Sequence, residues 1–179
     1  FLKMPVYLQF LEPIVAKTQM RFIRHFSACW VPDFPQKSES LSGDLAHKQL
    51  LPNKQFRFVG ALSRMKKKVL GEGIEVGDES KLFLKKQYDV VAVLSGPEPQ
   101  RTIFEGLLKK QMLQSDLQVL LVRGVTEKQD FESLNNHIQI VNFLTAKELN
   151  QVLLAADVVI ARSGYSTLMD LVALDKKAI

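Results

Sequence analysis

Two short stretches carry side chains whose types and spacing suit the binding of a phosphate group. In "RSGYST", Arg162 to Thr167, the hydroxyls of Ser163, Ser166 and Thr167 and the unobstructed backbone at Gly164 follow the β-branched run "DVVIA" and precede a helical pattern that reaches Leu174. The first turn of a helix has backbone N–H groups without intrahelical partners and a fractional positive charge, worth ~0.3 to 1 kcal/mol per exposed anion contact. The same residues also suit a tight turn and a cap. Thr167 and Asp170 hold the first and fourth positions of a capping box, with Asp where Glu or Gln is usual. Spacing alone does not separate the two readings. In "SGPEPQR", Ser95 to Arg101, Gly96 permits close backbone approach, but Pro97 and Pro99 remove two N–H donors that a phosphate cradle needs. Gln100 and Arg101 can supply side-chain donors in their place, Arg101 as a two-pronged fork. The plainer reading is a rigid proline turn with a solvated arginine.

Both stretches need elements to hold them. Apolar, β-branched runs at "FRFVGAL" (Phe56 to Leu62), "YDVVAVL" (Tyr88 to Leu94), "LQVLLVRG", "IQIV" and "DVVIA" read as strands. Helical patterns fall between them, over Thr102 to Leu113 and over "TAKELNQVLLAA", where Thr145 and Glu148 have the spacing of a capping box. A helix or turn is expected around Phe131 and a short helix over "KLFLKKQ", after a charged loop that runs through Ser80. Continuous β-branched strands alternating with helices predict an α/β fold, a Rossmann-like parallel sheet with helices on both faces. In such sheets ligands bind beyond the carboxyl ends of the strands, which is where "SGPEPQR" and "RSGYST" fall.

Before this region the pattern differs. From Val6 to Phe26 the apolar residues fall at helical spacing with a break at Pro13, and "ACWVPDF" reads as a strand stopped by Pro32. The polar run from Asp33 to Lys54 carries two prolines and no period, and is expected to be a long connection. The domain reading is therefore 1–34 as the end of one domain, 35–55 as a connection, and 56–179 as a second domain. "DKKAI" at the end reads as the start of a further strand.

Composition bounds the function classes. Hydrophobic residues at 46% and charged residues at 24% are globular values. The net charge of +5 suits phosphate-bearing ligands, nucleic acid or an anionic surface without choosing among them. The basic knot Arg64, Lys66, Lys67 and Lys68 has no interleaved aromatics to stack bases, so no nucleic-acid partner is expected and a solvated face is the plainer reading. His25, His47, His137 and Cys29 have no metal-ligand spacing, and no metal site is expected. The single cysteine cannot form an intrachain disulfide, which points to a cytoplasmic setting. The opening "FLKMPVYLQFLEPIVAK" is interrupted by Lys3, Gln9, Glu12 and Lys17 and lacks the apolar core of a signal peptide or membrane span. Its aromatic and basic residues suit either packing against another domain or contact with an anionic membrane surface.

From "IQIVNFLTAKELNQVLLAADVVIARSGYSTLMDLVALDKKAI" the chain resembles the carboxyl-terminal, donor-binding domain of GT-B glycosyltransferases. The nearest likeness is to the family of the lipid-linked muramyl-pentapeptide N-acetylglucosaminyltransferase. Matching segments run from about Phe56 to Ile179, and "HFSACWVPDF" looks like the end of the amino-terminal GT-B domain. The resemblance implies transfer of a hexose-type sugar from a nucleotide-diphospho-sugar, a UDP-sugar, to a saccharide or lipid-linked acceptor in cell-envelope polysaccharide synthesis. It implies no cofactor, and a cytoplasmic enzyme at the inner face of the membrane. By the same resemblance Leu144, after Phe143, lies beside the nucleotide base through its backbone. Ser163, Gly164, Ser166 and Thr167 lie near the diphosphate or sugar, and Asp170 takes the position of the acid that binds the ribose hydroxyls. Gly96 and Arg101 occupy the other phosphate loop, where the family's "GGSxGAR" is replaced by "SGPEPQR"; that change argues against carrying over the muramyl substrate.

Sugar transfer with inversion needs a base for the acceptor hydroxyl and positive or dipolar groups for the departing diphosphate. The family draws its base from the amino-terminal domain, so this stretch by itself is expected to be inactive. His47, in "SGDLAHK", is the one histidine expected in a flexible loop and is the candidate catalytic or acceptor-side group. A nucleotide-sugar hydrolase or epimerase on the same fold, or a non-catalytic donor-binding subunit, are the competing readings.

Overall fold

The computed structural model describes residues 5–47, 56–67 and 86–179. The chain forms two compact units, Phe1–Leu62 and Ser63–Ile179.

In the first unit a 3₁₀ turn over Val6–Leu11 leads into α1, Glu12–Ile23. Pro13 sits in the first turn of α1, where its missing N–H costs nothing, so the proline marks the junction of the two helices. Strand β1, Cys29–Val31, pairs in parallel with β2, Phe56–Phe58. The sequence reading gave Phe56 to Leu62, at the start of the second domain, as a strand. The strand is instead three residues long and belongs to the first unit, because its hydrogen-bonding partner is β1.

The polar run after Asp33 is also not a featureless connection. Asp33 is fully buried, and its carboxylate accepts from the Phe34 and Leu41 amides (2.8 Å each), the Ser42 amide (3.1 Å), and the hydroxyls of Ser40 (2.8 Å) and Ser42 (2.6 Å). Two 3₁₀ turns, Lys37–Glu39 and Gly43–Leu45, wrap around it. A single carboxylate can organise ten residues without any hydrophobic period because it accepts from several donors at once.

The second unit is the expected sheet. Its five strands are β3 (Tyr88–Val93), β4 (Val119–Val122), β5 (Phe131–Ser133), β6 (Ile138–Val141) and β7 (Ala156–Ala161), in the order β5-β6-β4-β3-β7. All neighbours are parallel except β5, which runs antiparallel to β6 at the edge. The helix or turn expected around Phe131 is therefore this edge strand. The helix expected over "KLFLKKQ" and the loop before it lie largely outside the described residues. Three helices follow: α2, Gln100–Met112, α3, Ala146–Ala155, and α4, Tyr165–Leu174. Leu108 and Met112 of α2 pack with Ala92, Leu121 and Ile140 on one face of the sheet. Val152 and Leu153 of α3 and Leu171 and Leu174 of α4 pack with Val91, Leu120 and Val159 on the other. Strand β4 is buried along its whole length because alternate side chains feed both layers.

Chain ends of these elements are tied locally. The capping box at Thr145 is complete: Glu148 N–H donates to the Thr145 hydroxyl and Thr145 N–H to the Glu148 carboxylate (2.7 Å). Lys176 donates to the carbonyls of Leu154 and Ala156, both at 2.7 Å, where α3 ends and β7 begins. Beyond it, Ala178 bridges in parallel to Val159 on the side of β7 away from β3.

Burial alone would raise the pKa of Asp33. The Ser42 hydroxyl, the Leu41 and Phe34 amides and the Ser40 hydroxyl outweigh it and hold the carboxyl well below the usual carboxylate range. A lowered native pKa contributes stability above the unfolded value near ~4 that is lost as pH falls through the native one. Asp33→Asn should lower the stability of the first unit by about 2 to 3 kcal/mol at neutral pH and flatten its loss between roughly pH 5 and 2. Fluorescence of Trp30, the one tryptophan of the chain and part of β1, follows this transition in urea titrations at several pH values.

Candidate functional site

The site is built at the carboxyl ends of β3 and β7. These strands are neighbours, with Val93 beside Ala161, although 60-odd residues of chain separate them. After β3 the chain passes through α2 to β4 on one side. After β7 it passes through α4 to Ala178 on the other. The two connections leave in opposite directions, so a crevice opens between their first residues, the topological switch point of an open parallel sheet.

On the β7 side, Gly164 is the N-cap of α4, in extended conformation (φ −68°, ψ 140°), and no side chain caps the helix. Thr167 therefore lies inside the first turn and Asp170 in the second. The capping box read from the sequence does not form, because the helix starts at Tyr165 with Gly164 as its N-cap, three residues before the position that box requires. Gly164 N–H turns back to Arg162 O (2.7 Å) and is not directed outward. The amides of the next residues are those that a helix leaves without intrahelical partners. Ser163, Gly164 and Ser166 are exposed, and Thr167 and Asp170 are half-buried. Asp170 Oδ1 accepts from the Ser63 hydroxyl at 2.6 Å, and its second oxygen has no partner among the described residues. The Ser63 oxygen in turn accepts from Met65 N–H (2.9 Å), and buried Asn150 clasps Lys66 through both its N–H and its C=O. The side chains of Arg64, Lys66 and Lys67 around this anchor are exposed.

On the β3 side Arg101 is bonded within the chain. Arg101 does not reach outward as a free fork. It donates through Nε (2.9 Å) and Nη2 (2.6 Å) to Glu98 Oε1 and through Nη1 to Gly124 O (3.0 Å). The other Glu98 oxygen accepts from the Thr102 hydroxyl (2.8 Å) and amide (3.3 Å), so the chain's own carboxylate occupies the start of α2. Hydrogen bonds from Thr102 and then Arg101 hold the Glu98 carboxyl below its ordinary pKa. Gly96 does adopt a backbone that favours glycine (φ +98°), but what lies against it is Arg162: a Cβ there would stand 2.1 Å from Nη1. Arg162 Nη1 donates to Ser95 O (3.1 Å) and Nη2 to Gln100 Oε1 (2.9 Å), joining the two loops.

Residues 90–179, half of the chain, match the glycosyltransferase family 28 C-terminal domain. The chain belongs to this family. No curated protein and no solved structure matches it. The family 28 domain is a GT-B glycosyltransferase carboxyl-terminal domain, and its Rossmann-like sheet has the layers described above.

Within the family 28 domain the structure brings together Gly96, Ser163 and Gly164 around Arg162, with Ser166, Thr167 and Asp170 along the first two turns of α4. Leu144 follows β6, at the carboxyl edge of the same sheet but two strands from β3, and its side chain packs on the core layer that holds Leu171. His47 is not in this unit. Its ring stacks on Phe58 with centroids 5.0 Å apart, and Nε2 lies 3.0 Å from Phe34 O, so it is a packed histidine and not a flexible-loop one. Sequence reasoning missed Arg162, Glu98 and Ser63. Arg162 opens the quoted turn and could have been paired with Gly96; Ser63 is 107 positions from Asp170 and carries no local signal.

Gly164 has a backbone conformation open to any residue, and a Cβ there would meet only Thr167 Oγ1 at 3.7 Å. Folding does not require glycine at this position. Gly164→Ala should leave the unfolding free energy within about 0.5 kcal/mol of wild type in urea titrations followed by circular dichroism. A loss above about 1.5 kcal/mol would mean that the turn itself needs the glycine.

Proposed function

We propose that the family 28 domain binds a nucleoside-diphosphate sugar, a UDP-sugar, in the crevice between the β3 and β7 loops, and that the protein transfers the sugar to a saccharide or lipid-linked acceptor. The observation that carries this reading is the convergence of the α4 terminus, Arg162 and a half-satisfied Asp170 at the one switch point of the sheet. A diphosphate suits the α4 terminus and the guanidinium electrostatically. A carboxylate one turn along the helix can accept from the two vicinal hydroxyls of a ribose, as acids do in other dinucleotide folds. Ser166 and Thr167 share that helix face with Asp170 at i, i+4 and i, i+3 spacing. An exposed glycine that the fold does not demand, Gly164, leaves room for a phosphate or sugar to approach the backbone.

In this reading residues 1–34 are the end of the amino-terminal GT-B domain, and the catalytic base comes from that domain. The donor domain supplies the other half of the chemistry: it holds the nucleotide and stabilises the charge that develops on the departing diphosphate. The exposed aromatic residues Tyr7, Phe10, Phe22 and Phe26, beside Lys17, Arg21 and Arg24, suit a surface that meets an acceptor carried on an anionic membrane. Among the described residues no helix is long and apolar enough to cross a membrane.

Calorimetric titration of UDP into the full chain tests the donor reading. Asp170→Ala should weaken binding tenfold or more, as expected for losing about 1.5 to 3 kcal/mol of hydrogen bonding to a charged acceptor. Equal affinities for the two proteins, or no binding of UDP to the wild type, would exclude the assignment.

A further inference from the structure

Among the described residues three arginines stand at the carboxyl edge of the sheet, and their surroundings differ in charge. Arg101 has a carboxylate partner in Glu98, and Arg123, just after β4, has Glu105 and Glu132. Arg162 is bonded only to neutral oxygens, Ser95 O and Gln100 Oε1, and among the described residues no carboxylate pairs with it. A guanidinium has five N–H donors in one plane; two hold the β3 side and the others remain. The path of this side chain passes directly over Gly96, where a Cβ would stand 2.1 Å from Nη1 and 3.0 Å from Cζ.

We propose that Arg162 is a positioning residue for the donor: it latches the β3 loop to the β7 turn, fixes the width of the crevice, and turns its remaining donors and its uncompensated charge to the diphosphate. Gly96 has two reasons to be glycine: its left-handed backbone (φ +98°) and the latch that lies across it. The inference rests on the donor-binding reading for its second half, while the latch itself is a statement about the protein alone. Lysine cannot replace Arg162, because a point ammonium does not span two acceptors in a fixed plane and still face a third. Arg101, held by Glu98 and by Gly124 O, is not the residue that meets the diphosphate.

The test is a double-mutant cycle on the full chain with Arg162→Ala and Gly96→Ala, read by affinity for UDP, affinity for UMP and melting temperature. Arg162→Ala should weaken UDP binding at least tenfold and UMP binding less than threefold, so that the preference for the diphosphate falls; Arg162→Lys should recover little of it. Gly96→Ala should weaken UDP binding in the wild type, yet by less than twofold in the Arg162→Ala background. An unchanged UDP-to-UMP preference in Arg162→Ala overturns the role toward the donor. If the wild type binds neither nucleotide, the donor reading fails, and the melting temperatures decide the latch on their own. In that case Gly96→Ala must cost more in the wild type than in the Arg162→Ala background, and equal costs overturn the latch. Should Arg162→Ala not fold, Arg162→Gln, which keeps a planar amide but loses the charge, is scored by the same comparisons.

Discussion

The pairing of β3 with β7 is the constraint on which the rest of the second unit depends. Main-chain hydrogen bonds along this pair force two distant parts of the chain to end side by side at Val93 and Ala161. Because the chain then winds away in opposite directions, neither loop can fill the space between them. A hydrophobic core on both faces fixes the register, since a slip of one residue would send Val91 and Val159 into the other layer. The crevice is thus a by-product of sheet topology, and side chains only furnish it.

Electrostatics decides how the two loops share the work. Pro97 and Pro99 of "SGPEPQR" leave the β3 loop without two backbone donors. Here Glu98 fills the start of α2 with an internal negative charge and takes Arg101 as its partner. On the other side stand the start of α4 and Arg162, which no carboxylate pairs with among the described residues. The positive charge at the switch point therefore comes from the β7 side of the sheet.

What could be read from the sequence follows the range of each interaction. The parallel strands were legible because both of their faces are buried, which leaves an uninterrupted apolar run. The Thr145 box was legible because both partners lie within four residues. The similar pair at Thr167 and Asp170 misled, since the helix begins at Tyr165 and spacing does not say where a helix starts. Strand β5, with Glu132 at its centre, has three residues at an antiparallel edge and too little apolar pattern to be seen. Asp33 hid because one buried carboxylate replaces the hydrophobic period on which pattern reading relies. Partners of β2 and of Asp170 are set by tertiary structure, and no window of sequence contains them.

Lys176 has a mechanical consequence. Its ammonium joins the last turn of α3 to the first residue of β7 just after α4 has ended, so three elements meet on one cation. Leu171 and Leu174 bury the same end of α4 in the core layer. The β7 arm is thus tied down at its far end, and Arg162 stands at its near end, where it meets the β3 loop.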